Sequence, residues 1–184
     1  ILKTLEKFKL NIDTIDAIKN VFIDEMQIGL SSTTTKKSCL QMENTFIPYL
    51  PTGEEKGFYL SLDLGSTNFR VILSKLTGNE ENDEFVVKYY DIPEEYKVAK
   101  SSQKLFEHIA NCIHDFLSCL PELNGLRIPL GFTFSFPMVQ KAIDIGLLVT
   151  WTKCYDLPDV VDKNAVEFLQ KALSEKVCNE RRFN

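Results

Sequence analysis

Apolar residues at Ile15, Ile18, Val21, Phe22 and Met26 recur with the helical period, so residues 11–30 are predicted to form an amphipathic helix. Asp13 or Thr14 is placed to cap its start and Gly29 to end it. From residue 58 the period drops to two: Phe58, Leu60, Leu62 and Leu64 alternate with Tyr59, Ser61 and Asp63, and Phe69, Val71 and Leu73 alternate with Arg70, Ile72 and Ser74. Two strands therefore meet at Gly65-Ser66-Thr67, and "EFVVKYYDI" supplies a third. The helical period returns over 102–120 through Leu105, Ile109, Ile113, Phe116 and Leu120. "LRIPLGFTFSFP" is a continuous apolar and β-branched run suited to a buried strand, and "MVQKAIDIGLLVTWTK" suits a hairpin closed near Asp144-Ile145-Gly146. A last helix is predicted over 163–176 through Ala165, Phe168, Leu169, Ala172 and Leu173, with Asp162 placed to cap it.

Between the first helix and the first strand, residues 31–57 are rich in hydroxyls and turn formers and read as a connector at a domain boundary. Adjacent antiparallel strands followed by helical crossovers imply an α/β fold with a mixed sheet and helices against it. At 184 residues and 44 % hydrophobic content the chain suffices for one full-sized domain with an appended piece. The net charge is -5, and no basic stripe is interleaved with aromatics, which argues against nucleic acid as a partner. Five cysteines with no C-x-x-C, and Cys112 and Cys119 roughly 10 Å apart on one helix, suggest free thiols in a reducing compartment. No run is apolar enough to span a bilayer, and "ILKTLEKFKL" lacks the core of a signal peptide, so the cytosol is the expected location. The chain opens at Ile1 and closes after "NERRFN" on an amphipathic segment, which is read as part of something longer.

The turn at Gly65-Ser66-Thr67 carries the first candidate chemistry. It is neither a dinucleotide fingerprint nor a Walker loop. Gly65 can take a positive φ, successive N–H groups of a turn can form an anion-binding concavity, and the hydroxyls of Ser66 and Thr67 add donors. Asp63 could hold a hydrated Mg²⁺ beside a phosphate bound there. The same residues also make a plain hairpin turn with self-capping polar side chains, and the local pattern alone does not separate the two. His108 and His114 lie six apart on a helix and cannot cover one metal; a solvated helix face is their expected setting.

"LDLGSTNFRVIL" is similar to the first phosphate motif of the hexokinase family, within the superfamily of sugar kinases, actins and heat-shock chaperones that share a ribonuclease-H-like nucleotide fold. "LPTGEEKGFYLSLDLGSTNFR", "YDIPEEYKVAKSSQKLFEHIANCIHDFL", "LGFTFSFP" and "GLLVTWTK" resemble consecutive segments of that family, and "FIDEMQIGL" resembles the helix that precedes them. "FTFSFP" with "TWTK" is the more specific part, since it resembles the family's sugar-binding signature. The chain departs from the family where two glycines are usual and Gly65-Ser66 stands here.

The resemblance implies ATP with Mg²⁺ as nucleotide and a hexose such as glucose as substrate, phosphorylated at its 6-hydroxyl. It implies that Ser135, Phe136 and Pro137 line the hexose pocket, that Thr152 and Lys153 grip the sugar, and that Lys153 adds a positive charge near the transferring phosphoryl. Asp63, Gly65, Ser66, Thr67, Asn68 and Arg70 fall on the nucleotide phosphate side. It implies further that residues 1–56 are an arm and connector of the large lobe and 57–184 an incomplete small lobe. None of Asp144, Asp156, Asp159 and Asp162 matches the family's general base, an aspartate in an Asn-Asp-Thr segment expected beyond Asn184. Two rivals remain at this point: a hexokinase-like regulatory protein that binds sugar without catalysis, and an actin-like or chaperone-like nucleotide module, against which "FTFSFP" and "TWTK" argue.

Overall fold

The computed structural model describes residues 8–40, 42, 45–47, 49–66 and 68–181, with side chains to Lys176. Thr67, the first seven positions of the opening stretch and the last three of the chain lie outside them. The chain divides into two compact units, 1–44 and 45–184, with the division falling inside the polar connector.

The first unit is built on α1 (Ile12–Leu30). Its N-cap is Asn11, whose side-chain oxygen accepts from the Thr14 N–H at 2.7 Å, and not Asp13 or Thr14. The helix runs through Gly29 to Leu30, so Gly29 does not end it. A Cβ on Gly29 would sit 2.3 Å from the Leu40 carbonyl oxygen, so close approach of the returning chain is the reason for glycine there. That return is fixed by Glu25, whose backbone and side-chain oxygens each lie 2.7 Å from the Ser38 hydroxyl, and whose carboxylate accepts from the Cys39 N–H at 3.0 Å. These hydrogen bonds, Ser38's first, hold the Glu25 carboxyl below its usual range. The apolar stripe read from the sequence is present, yet Ile18, Val21 and Phe22 remain exposed and border a groove of about 410 Å³.

In the second unit, β1 (Lys56–Leu64), β2 (Asn68–Thr77), β3 (Glu84–Asp91) and β4 (Leu130–Phe134) form one sheet in the order β3-β2-β1-β4. β1 is antiparallel to β2, with Leu62 opposite Val71 and Asp63 opposite Arg70, and parallel to β4, with Leu64 opposite Phe134. The alternation read from the sequence is the pleat itself: Leu60, Leu62, Leu64, Phe69, Val71 and Leu73 are all buried. They form one core with Leu105, Phe106, Ile109, Ile113 and Phe116 of α3 (Gln103–Ser118), which follows the short helix α2 (Glu94–Lys97). α4 (Ala165–Arg181) packs on α3 and adds Ala165, Leu169 and Ala172 to that core.

Three expectations are corrected here. Among the described residues β4, five residues long, pairs on one side only, with β1, and Leu130 is 39 % exposed, so it is not buried on both sides. Its last residue, Phe134, and Phe136 of the turn that follows are buried against each other and neighbouring aromatics. The hairpin pairs β5 (Met138–Ala142) with β6 (Ile145–Leu148), and Asn164 in place of Asp162 secures both it and α4. The Asn164 oxygen accepts from Gly146 at 3.1 Å and Val166 at 3.3 Å, its amide donates to the Asp144 carbonyl, and Asp162 takes a left-handed φ of 62°. Finally, His108 is half-buried: its Nε2 lies 2.9 Å from the Asp91 carbonyl oxygen and its ring packs on Tyr96.

The start of α3 is fixed from far along the chain. Both carboxylate oxygens of Asp159 lie within 3.0 Å of the Ser102 N–H, and Oδ2 also accepts from the Ser102 hydroxyl. Ser102 is 1 % exposed, so its N–H and hydroxyl take this carboxylate as partner in place of bulk water. Asp159→Ala is expected to lower the unfolding free energy by about 1–3 kcal/mol, and Leu62→Ala by about 2–5 kcal/mol. Urea denaturation measures both, and an unchanged midpoint for either substitution would remove that residue from the framework.

Candidate functional site

The parallel pairing of β1 and β4 delivers two chain segments to one end of the sheet. β1 ends at Leu64 and feeds the turn at Gly65; β4 ends at its register partner Phe134 and feeds Ser135-Phe136-Pro137. Ligands of α/β sheets gather at the carboxyl ends of parallel strands because loops there diverge and leave N–H groups unpaired.

On the β1 side the turn is tight, with the Gly65 N–H donating to the Asn68 carbonyl at 3.0 Å. Gly65 does not adopt a positive φ; the constraint is space, since a Cβ there would lie 3.1 Å from that same carbonyl oxygen. Ser66 and Asn68 are exposed. Asp63 and Arg70, cross-strand partners at the mouth of the turn, form a carboxylate–guanidinium ion pair. That hydrogen bond and the charge behind it hold the Arg70 proton more firmly than usual, with Tyr89 adding to it.

On the β4 side, Ser135 and Pro137 are exposed, while the Phe136 ring is buried. Phe136 stands edge-on to Trp151 at 4.7 Å and to Tyr155 at 5.2 Å, and Trp151 stacks on Tyr155 at 5.6 Å. The Pro137 carbonyl accepts from Val149 at 2.9 Å, tying this turn to the strand that leads into Thr152-Lys153. Lys153 Nζ sits 5.5 Å from the centre of the Phe136 ring, so the structure brings Ser135, Phe136, Pro137 and Lys153 together. Thr152 is exposed, and its carbonyl accepts from the Tyr155 N–H at 3.1 Å.

Lys153 and Cys154 both take left-handed backbone, with φ of 55° and 65°. Two consecutive non-glycine residues in that region cost about 1–3 kcal/mol each, and such strain gathers at functional sites. Three hydrogen bonds hold the segment: Trp151 Nε1 to the Leu157 carbonyl at 2.7 Å, Tyr155 N–H to Thr152, and Asp156 N–H to the Lys97 carbonyl at 2.7 Å.

Tyr155 and Lys97 are absent from the residues the sequence singled out. Tyr155 is 4 % exposed, and its hydroxyl donates to the Gly65 carbonyl at 3.2 Å, joining the two halves of the site across 90 residues. Lys97 is 3 % exposed; it pairs with Glu94 and lies over the Tyr155 ring. No periodicity marks either residue, because their roles depend on contacts between distant segments.

Among the described residues no three His, Cys, Asp or Glu side chains are grouped to cage a metal. A single carboxylate beside a turn with exposed donors fits a hydrated Mg²⁺ carried on nucleotide phosphates, which asks for only one or two carboxylates. It does not fit a resident ion held by protein alone.

A mixed sheet with a strand–turn–strand corner at its centre and a second ligand turn from the adjoining parallel strand defines the class of actin-like and sugar-kinase folds. A hexokinase from Schistosoma mansoni in complex with glucose has the same fold, with a TM-score of 0.76 and 34 % identity over 95 % of this chain and 39 % of that one. Another hexokinase crystal structure matches with a TM-score of 0.75 and 28 % identity, over 91 % of this chain and 40 % of that one. The hexokinase family model matches residues 1–182. Hexokinase-1 of Bos taurus and of Homo sapiens are each 40 % identical over 95 % of this chain. The chain belongs to the hexokinase family, and it spans about a fifth of the length of these curated relatives.

Burial pushes the Tyr155 phenol up to about 12. A phenol that binds its proton more tightly when folded contributes fully below pH ~10, the ordinary value, and loses that contribution as pH rises toward 12. Tyr90 is raised in the same direction, by burial and then by its hydrogen bond to Asp115. Stability is therefore expected to fall across this alkaline window, with a smaller fall in Tyr155→Phe. Thermal midpoints at successive pH values test it, and identical slopes for the two proteins would refute the assignment to Tyr155.

Proposed function

We propose that the complete protein transfers a phosphoryl group from Mg²⁺-bound ATP to the 6-hydroxyl of a hexose, with glucose as the foremost candidate. The observation that carries this reading is the joining of the Ser135-Pro137 and Thr152-Lys153 segments to the Gly65 turn by the Tyr155 hydroxyl. The similarity to a hexokinase that binds glucose supports the choice of sugar.

Ser135 and Thr152 offer exposed hydroxyls to the sugar, whose own hydroxyls must each find a partner when enclosed. Phe136 acts as a buried wall that fixes Ser135 and Pro137 through the backbone. Lys153, exposed and held above that wall, supplies positive charge where charge develops on the transferring phosphoryl. Ser66 and Asn68 serve the nucleotide phosphates, a role the motif resemblance extends to Thr67, which lies outside the described residues; Arg70 adds a cation, and Asp63 takes a water of the bound Mg²⁺. Bound Mg²⁺ supplies charge neutralisation across the phosphates. The general base and the adenosine pocket are assigned to residues outside this chain, which contributes residues 1–56 to the large lobe and 57–184 to the small one. The cytosol is the proposed compartment, on the strength of free thiols at Cys39, Cys112, Cys119 and Cys154; no described helix is long and apolar enough to cross a membrane.

One observation favours a second reading. Asp63 is already engaged by Arg70, which suits a protein that binds sugar and dispenses with Mg²⁺-ATP. Turnover separates the two: glucose binding without ATP consumption assigns the regulatory role.

In the complete protein, Lys153→Ala is expected to lower turnover about 10²–10³-fold, measured by coupled detection of the sugar phosphate. Normal turnover would remove Lys153 from the chemistry. Trp151 is the only tryptophan of this chain and packs on Phe136, so glucose at millimolar levels is expected to change its emission. In the complete protein this is read as the difference between the parent and Trp151→Phe, and no difference counts against the pocket.

A further inference from the structure

The Gly65 carbonyl oxygen and the Ser66 N–H belong to one planar trans peptide, so they point to opposite sides of it. Whatever grips the carbonyl therefore aims the N–H. The Tyr155 hydroxyl is that grip, at 3.2 Å. Its ring has no freedom to wander: it is 4 % exposed, stacked on Trp151, edge-on to Phe136 and covered by Lys97. Its backbone is bound at the same place, through its N–H to Thr152, in the segment that carries the left-handed Lys153 and Cys154.

We propose that Tyr155 is a positioning residue that couples the hexose segment to the phosphate turn: its hydroxyl sets the orientation of the Gly65–Ser66 peptide, and with it the Ser66 N–H that meets the nucleotide. The inference rests on the functional reading above for its ligands, and on geometry alone for the strut. Ser66 gives the strut its purpose. A side chain at this step narrows the backbone choices that a second glycine would leave open, so a tether on the preceding carbonyl selects one of them. The high proton affinity of the buried phenol keeps it a donor throughout the neutral range. Movement of Thr152-Lys153 on a sugar is transmitted through one rigid ring to the peptide that faces the phosphate.

Tyr155→Phe in the complete protein removes the hydroxyl and keeps the ring, so the aromatic packing survives; far-ultraviolet circular dichroism and Trp151 emission verify the fold. Two readouts decide the matter. Hydrogen exchange of the peptide spanning residues 61–73 is expected to quicken about threefold or more, and glucose is expected to slow it in the parent protein but not in the variant. The KM for ATP is expected to rise about three- to tenfold, with the KM for glucose changed less than twofold. Unchanged exchange overturns the strut whatever the kinetics. Quickened exchange with an unchanged ATP KM, or with both KM values raised equally, overturns its role toward the nucleotide and leaves Tyr155 as packing. Should the parent protein fail to phosphorylate glucose, the functional reading falls separately, and exchange with and without glucose alone rules on the coupling.

Discussion

Parallel pairing between β1 and β4 is the constraint from which the rest of the site follows. Register in a sheet is all or nothing, because a slip of one residue turns every side chain to the opposite face. With Leu62 and Leu64 buried at 0 % exposure, a one-residue slip of β1 is excluded, and in the register it adopts Leu64 lies opposite Phe134. The two turns that leave these strands are neighbours by necessity. Neither turn needs its own device to find the other.

The aromatic cluster then sets how rigid that meeting is. Phe134, Phe136, Trp151 and Tyr155 contact one another at centroid distances between 4.7 and 5.6 Å, mostly tilted or edge-on. Such pairs contribute about 0.5–1.5 kcal/mol each beyond the area they bury. Their sum is of the order needed to hold Lys153 and Cys154 in left-handed backbone. Strain at the exposed lysine is thus matched by packing directly beneath it, and the segment keeps a shape it would not choose alone.

Periodicity made the sheet and helices legible because burial acts on every second or every third to fourth residue, and a single chain displays that without help. Ends and partners were less legible. Asn11 and Asn164 cap where Asp13 or Thr14 and Asp162 were expected to, since the choice depends on backbone angles and on contacts such as that of Asn164 with Gly146. β4 looked buried because its apolar residues serve two purposes, half in the sheet and half in the aromatic cluster. At the site, the turn at Gly65 and the Thr152-Lys153 pair could be marked from motif resemblance alone. Tyr155, Lys97 and the Asp63–Arg70 pair could not, because each is defined by a partner that only the folded chain brings close.

The 90 residues between Gly65 and Tyr155 also set an order of assembly. Closing that span costs about 2 kcal/mol more chain entropy than closing the 7 between Asp63 and Arg70, by the logarithmic dependence on loop length. The β1–β2 hairpin closes on the shorter span and the Tyr155–Gly65 contact on the longer. On chain entropy alone, the hairpin is favoured to close before the Tyr155 hydroxyl meets the Gly65 carbonyl.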